Sequence, residues 1–93
     1  MGVQVNRTEI LGAAKAYITM DRAETHGSAE DNFGLIAAYW SAHLNRTIKP
    51  HDVAVMMTLL KLARAKSNPK HIDNWIDGCG YLALGGEAAK EEV

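Results

Sequence analysis

Three observations predict an all-α protein. Apolar residues recur at helical spacing in four separate stretches. Each stretch is bounded by a capping pattern or a Pro/Gly break. Nowhere does the chain alternate apolar and polar residues as a strand would. The expected architecture is a four-helix bundle-like single domain over residues 1–93. Its helices fall near 7–22, 29–45, 50–66 and 70–85, with loose termini at 1–5 and 88–93.

Asn6 and Glu9 form an N-x-x-E capping box, in which each side chain satisfies an N–H of the first turn. Ile10, Ala14, Tyr17 and Ile18 follow on one face. Gly27 suits the left-handed conformation of a tight reversal. Ser28 and Asp31 open the second helix, which carries the stripe Phe33, Ile36, Ala37, Trp40, Leu44, with Asn32 at its edge. Asn45 to Lys49 is a polar connection. Pro50 fits the first turn of the third helix, where it leaves no N–H unpaired. Val53, Met56, Met57, Leu60 and Ala63 or Arg64 continue that helix inward. Ser67-Asn68-Pro69 breaks it. The fourth helix begins near Lys70 and is expected to stop at Gly85-Gly86. Short connections favour antiparallel neighbours.

Apolar residues make up 47 % of the chain and charged residues 23 %, the balance of an ordinary globular protein. A net charge of −1 gives no electrostatic reason to expect duplex DNA or RNA as a partner. One cysteine, Cys79, rules out an internal disulfide framework and fits a reducing compartment. The opening MGVQVNRTE lacks the apolar core of a signal peptide. Thr58 and Lys61 cut the longest apolar run well short of the roughly 18 residues of a membrane span. A cytoplasmic protein without membrane contact is therefore expected. So is a homo-oligomer, because the first and third helices carry broad apolar faces and a chain this small has little with which to cover them.

The stretch from Asp52 to Leu84 holds the ionisable groups that look out of place. Lys61 and Arg64 interrupt the apolar third helix, and Asp73, Asp77 and Tyr81 recur at spacings of four along the next. Two like charges one turn apart destabilise a helix unless something offsets them. A short turn makes the two helices antiparallel, so the rows can meet. Lys61, Arg64, Asp73, Asp77 and Tyr81 are expected to line one polar pocket, with His26 and Asn32 at its mouth, able to take a phosphate or a metal. Arg22 and His26 could close an anion site at the start of the second helix. Trp40, Trp75 and Tyr81 could stack on a base, although their spacing favours the core. His71-x-Asp73 offers two metal ligands and no third, so no metal site is expected. Gly78 and Gly80 around Cys79 suggest close helix packing, and nothing nearby supplies a base to make Cys79 a nucleophile. The plain alternative for each charged residue is a solvated helix face.

The runs ETHGSAEDNFGLIAAYWS, DVAVMMTLLKLAR and DNWIDGCGYLAL resemble a family of small uncharacterised phage and prophage proteins. The resemblance covers about Arg7 to Glu87. It rests on Gly27, Asn32-Phe33, Trp40, Asp52-Val53-Ala54, Met57, Lys61, Arg64, Asp73, Asp77 and Gly80-Tyr81. It implies the cytoplasm of an infected or lysogenic bacterium. More distantly the chain is similar to the MazG-type all-α nucleotide pyrophosphohydrolases. These are helical oligomers that bind magnesium through E-x-x-E and E-x-x-D pairs and hydrolyse nucleoside triphosphates to monophosphates. Here the second pair is matched at best by Asn74-x-x-Asp77, and the second helix has no E-x-x-E. Magnesium is implied only by this resemblance.

The leading expectation is a helical protein that binds and sequesters a nucleotide or another phosphorylated ligand, a host defence signal included, without turnover. Its ligand-binding residues would be Arg22, His26, Asn32, Trp40, Lys61, Arg64, Asp73, Asp77 and Tyr81. The alternatives are a metal-dependent pyrophosphohydrolase and a protein-interaction module whose charge pairs only fix helix register.

Overall fold

Asn6 sets the first helix. Its side chain accepts the Glu9 N–H at 2.9 Å, and α1 runs Arg7–Ala16. The chain belongs to a computed structural model that describes residues 5–21 and 29–92. Arg22, His26, Gly27 and Ser28 lie outside the described residues, and with them the second capping box and the Arg22–His26 anion site. The expected single helix to residue 22 instead changes pitch. Tyr17–Asp21 is a π turn, and the Thr19 hydroxyl donates to the Lys15 carbonyl at 2.7 Å. The wider turn accompanies a close fit: a Cβ at Gly80 would lie 3.0 Å from Ile18 Cγ2.

Helix α2 spans Ala29–Leu44. Asn45 ends it at φ 54°, a left-handed conformation that asparagine tolerates better than most side chains. The Arg46 N–H then donates to the Ser41 carbonyl at 3.1 Å, closing a Schellman-type cap. The Ser41 hydroxyl also accepts the Ile48 N–H at 2.8 Å and donates to the Ile48 carbonyl at 3.1 Å, folding the connection back onto its helix. Helix α3 spans Pro50–Ser67 with Pro50 in the first turn, where the Asp52 carboxylate accepts the Lys49 N–H at 2.9 Å.

Helix α4 spans Ile72–Glu91. It runs straight through Gly85-Gly86, so the expected stop there is wrong, and so is the frayed tail. Gly85 is a contact residue. A Cβ on it would meet Ala54 Cβ at 2.8 Å, so α3 and α4 approach more closely than any side chain at 85 allows. The end of α4 is tied down by Glu92, whose carboxylate accepts the His51 N–H at 2.9 Å and lies 2.6 Å from the His51 ring Nδ1.

The α3–α4 hairpin is the spine. The other side of α4 meets α1 and the π turn, and α2 packs on α3. The core gathers Phe33, Ala37, Val53, Ala54 and Leu84, with Ile18, Ile36, Trp40, Ile48, Met57 and Tyr81 around them. No strand occurs among the described residues. The buried face of α3 differs from the expected one. Val53 is buried and Met57 half-buried as expected, but Ala54, Thr58 and Ala65 complete the face, while Met56, Leu60, Ala63 and Arg64 point to solvent. Small residues win these positions because the glycines of α4 bring its backbone so near. The Thr58 hydroxyl is satisfied locally by donating to the Ala54 carbonyl at 2.8 Å.

Candidate functional site

Lys61 and Asp77 meet across the hairpin. Lys61 Nζ lies 3.0 Å from Asp77 Oδ2, with the side chains 14 % and 32 % exposed. Gly78, whose absent Cβ would stand 4.0 Å from Lys61 Cβ, leaves the lane in which the lysine stem lies. This ion pair is one that the antiparallel argument anticipates. The larger pocket is not formed. Arg64 and Asp73 are exposed and form no ion pair among the described residues. The helices pack so closely that one lane fits between them. Arg64, three residues past Lys61, is rotated about 60° out of that lane at 100° per residue.

The five residues therefore separate. Asp77 and Tyr81 line a cavity of about 70 Å³ between α4, α1 and the π turn, with Ile18, Ile76 and Gly80 among its walls. Tyr81 also stacks on Phe33, with ring centroids 6.3 Å apart. Trp40 packs against the same core and Asn32 is half-buried at its edge. Trp75 departs from the core expectation. It is 42 % exposed and its indole N–H donates to the Pro69 carbonyl at 2.9 Å, bracing the turn.

Arg64 belongs to a different depression, of about 460 Å³, where α3 turns into α4. Its walls are Leu60, Ala63, Arg64, Ser67, Asn68, His71 and Asn74. Asn74 is its unusual member. The residue is only 7 % exposed. Its backbone N–H donates to the His71 carbonyl at 3.2 Å, yet its side-chain amide makes no hydrogen bond among the described residues. An asparagine amide carries two donors and an acceptor, and leaving such a group unpaired costs about 1–3 kcal/mol. Its hydrogen bonds must be made in the depression, to water or to a ligand. His71 caps α4 without a side-chain hydrogen bond, so the N–H groups of Ile72 and Asp73 keep their partial positive charge beside it, while those of His71 and Asn74 donate to the Asn68 and His71 carbonyls. Between Leu60 and Asn74 the sequence holds Lys61, Arg64, Lys66 and Lys70 against Asp73 alone. Sequence reasoning passed over Asn74 as a binding residue. Nothing local in the sequence separates it from a residue of a solvated helix face.

His51, which carried no sequence pattern, is a structural residue. Burial pushes the Glu92 carboxyl up, but hydrogen bonds from the His51 ring and backbone, with the nearby His51 and Lys49 charges, outweigh it and hold the group below its ordinary range. Cys79 is half-buried and free. Among the described residues no three His, Cys, Asp or Glu side chains come together in a way that could hold a metal ion. No described helix is long and apolar enough to cross a membrane.

Two curated phage proteins are similar to this chain. The Gene 55 protein of Mycobacterium phage L5 is 42 % identical over 76 residues, which is 81 % of this chain and 49 % of that protein. The Gene 55 protein of Mycobacterium phage D29 is 38 % identical over 72 residues, 77 % of this chain and 48 % of that protein. The chain thus spans about half the length of the curated relatives it matches. No solved structure matches it. The model of a family described as a domain of unknown function, DUF6378, matches residues 9–89, and with the two phage relatives this shows that the chain belongs to that family of phage proteins.

Proposed function

We propose that this protein binds a phosphorylated small molecule, a nucleotide or nucleotide signal, at the α3–α4 turn, and that it does so without turnover. The observation that carries this reading is the Asn74 amide, buried and unpaired on the wall of a depression that also holds Arg64 and His71. A phosphate supplies what the site lacks: acceptor oxygens for the amide and for the Ile72 and Asp73 N–H groups, and negative charge for an unpaired guanidinium. The volume, about 460 Å³, falls in the range of small-molecule pockets. Leu60 and Ala63 offer apolar surface beside it for a base or sugar. Lys61 and Asp77, already satisfied by each other, serve the hairpin in this reading.

The test is thermal denaturation of the full chain with inorganic phosphate and with mono-, di-, tri- and cyclic nucleotides. A ligand at a hundred times its Kd adds about 2.7 kcal/mol. Arg64→Ala should keep the fold and remove the ligand response. Asn74→Leu, which removes the amide and keeps the side-chain size, should keep the fold and also remove the response. Lys61→Ala should keep it. Absence of a response to every phosphate overturns the reading. Magnesium-dependent release of pyrophosphate from a triphosphate would make the protein a pyrophosphohydrolase instead.

A further inference from the structure

Helix α3 carries a second stripe that faces away from the core. Val55, Met56, Leu59, Leu60 and Leu62 are each between 41 and 57 % exposed. Together they leave roughly 400 Å² of apolar surface on one helix, the size of a typical monomer's largest patch and about half of what one partner contributes to a standard interface. The stripe has charged ends of opposite sign. Asp52 lies seven residues before Leu59 and Lys66 seven after it, and Asp52, Val55, Leu59, Leu62 and Lys66 follow one another at spacings of three and four, one helical face. No charge interrupts it between the ends. Lys66 is exposed and forms no ion pair among the described residues, and the Asp52 side chain, which accepts the Lys49 N–H and lies 3.3 Å from His51 Nε2, is still 40 % exposed.

We infer that this face of α3 binds the same face of a second copy, the two helices antiparallel, with the two-fold axis beside Leu59. The charge pattern selects both the occupant and its direction. Facing itself antiparallel, the stripe sets Asp52 of each copy against Lys66 of the other, and Met56 against Leu62. Facing itself in parallel, it sets Asp52 against Asp52 and Lys66 against Lys66, which repel. An isologous contact of this kind closes at two copies and leaves no free apolar end. It also gives a place to Val55, Met56, Leu59 and Leu62, large side chains that point away from the core. The inference shares one residue with the ligand reading, Leu60, at the edge of the stripe and on the wall of the α3–α4 depression; Arg64, His71 and Asn74 are not on the stripe.

Light scattering across a dilution series of the full chain tests it. The expected result is a dimer at tens of micromolar, converted to monomer by Leu59→Glu, with Kd raised at least about a hundredfold. Leu62→Lys should act alike. Circular dichroism should be unchanged in both, because the positions are exposed. Lys66→Glu sets a carboxylate against Asp52 and should weaken the dimer up to about tenfold at low salt and less at high salt. In a Cys79→Ala background, spin labels on Lys66→Cys should read about 20 Å between copies, fourteen residues at 1.5 Å each. A monomer at every concentration overturns the inference. So does a dimer indifferent to Leu59→Glu and Leu62→Lys. Labels in near contact, or a Lys66→Glu dimer of unchanged affinity, overturn the antiparallel direction.

Discussion

Gly85 and Gly86 are neighbours in one helix, and replacing each by alanine should move stability in opposite directions. Glycine in a helix interior is about 0.8–1.0 kcal/mol less favourable than alanine. Gly86 is exposed with nothing within 4 Å of an added Cβ. Gly86→Ala should therefore stabilise by about 1 kcal/mol, a rise in Tm of about 4–8 °C for a chain of this size. Gly85→Ala gains the same propensity but sets its Cβ 2.8 Å from that of Ala54. Both atoms are fixed to backbone, so the helices must part by 0.6 Å to reach the 3.4 Å of ordinary contact. Overpacking of that kind costs about 1–3 kcal/mol, which leaves a net loss of up to about 2 kcal/mol. Ala54→Gly in the same chain should recover part of the loss, a coupling that a double-mutant cycle measures. Urea and thermal unfolding of the wild type, the three single variants and the double variant are the assay. If Gly86→Ala destabilises, the residue ends a helix after all. If Gly85→Ala stabilises as much as Gly86→Ala, the close approach of α3 and α4 is refuted.

Three other outcomes follow from single contacts. Lys61→Ala strands Asp77 at a half-buried interface and should cost about 1–2 kcal/mol in thermal unfolding, between the value of an exposed pair and that of a buried one; an unchanged Tm would mean the pair adds nothing. Asn45 holds φ 54°, so Asn45→Ala should cost about 1 kcal/mol while Asn45→Gly stays near neutral in the same assay. The Glu92 carboxyl is held below its ordinary value of 4.5, so its contribution is complete above that pH and is lost as pH falls through the lowered value. Glu92→Gln should flatten the acid side of the stability–pH curve below 4.5 and leave the neutral side's slope alone; identical acid limbs for the two proteins would contradict this.

The helices were legible because their signals are local: Asn6 with Glu9, Pro50, the Ser67-Asn68-Pro69 break and the stripes between them. So was the Lys61–Asp77 pair, since a short turn between two long helices leaves one way for the rows to meet. What the sequence hid depends on distance between backbones. A double glycine reads as a stop until the neighbouring helix is seen pressing on it. The same closeness turned Ala54, Thr58 and Ala65 inward and Met56 and Leu60 outward, against hydrophobicity, and moved Arg64 from the expected pocket to another. The burial of Asn74 follows from that packing and has no local mark. His51 and Glu92 are too far apart in the chain for any spacing rule to join them.

The His51–Glu92 contact changes how the protein opens. The α3–α4 hairpin is joined at one end by its turn and at the other by a residue from the first turn of α3 holding the last of α4. Such a hairpin is a closed ring in which neither free end can unravel alone. The terminal amides of α4 and the leading amides of α3 therefore share one opening event, and hydrogen exchange at the two should report a common free energy. The ends of helices are where exchange is ordinarily fastest; here the last turn of α4 should open no faster than the start of its neighbour.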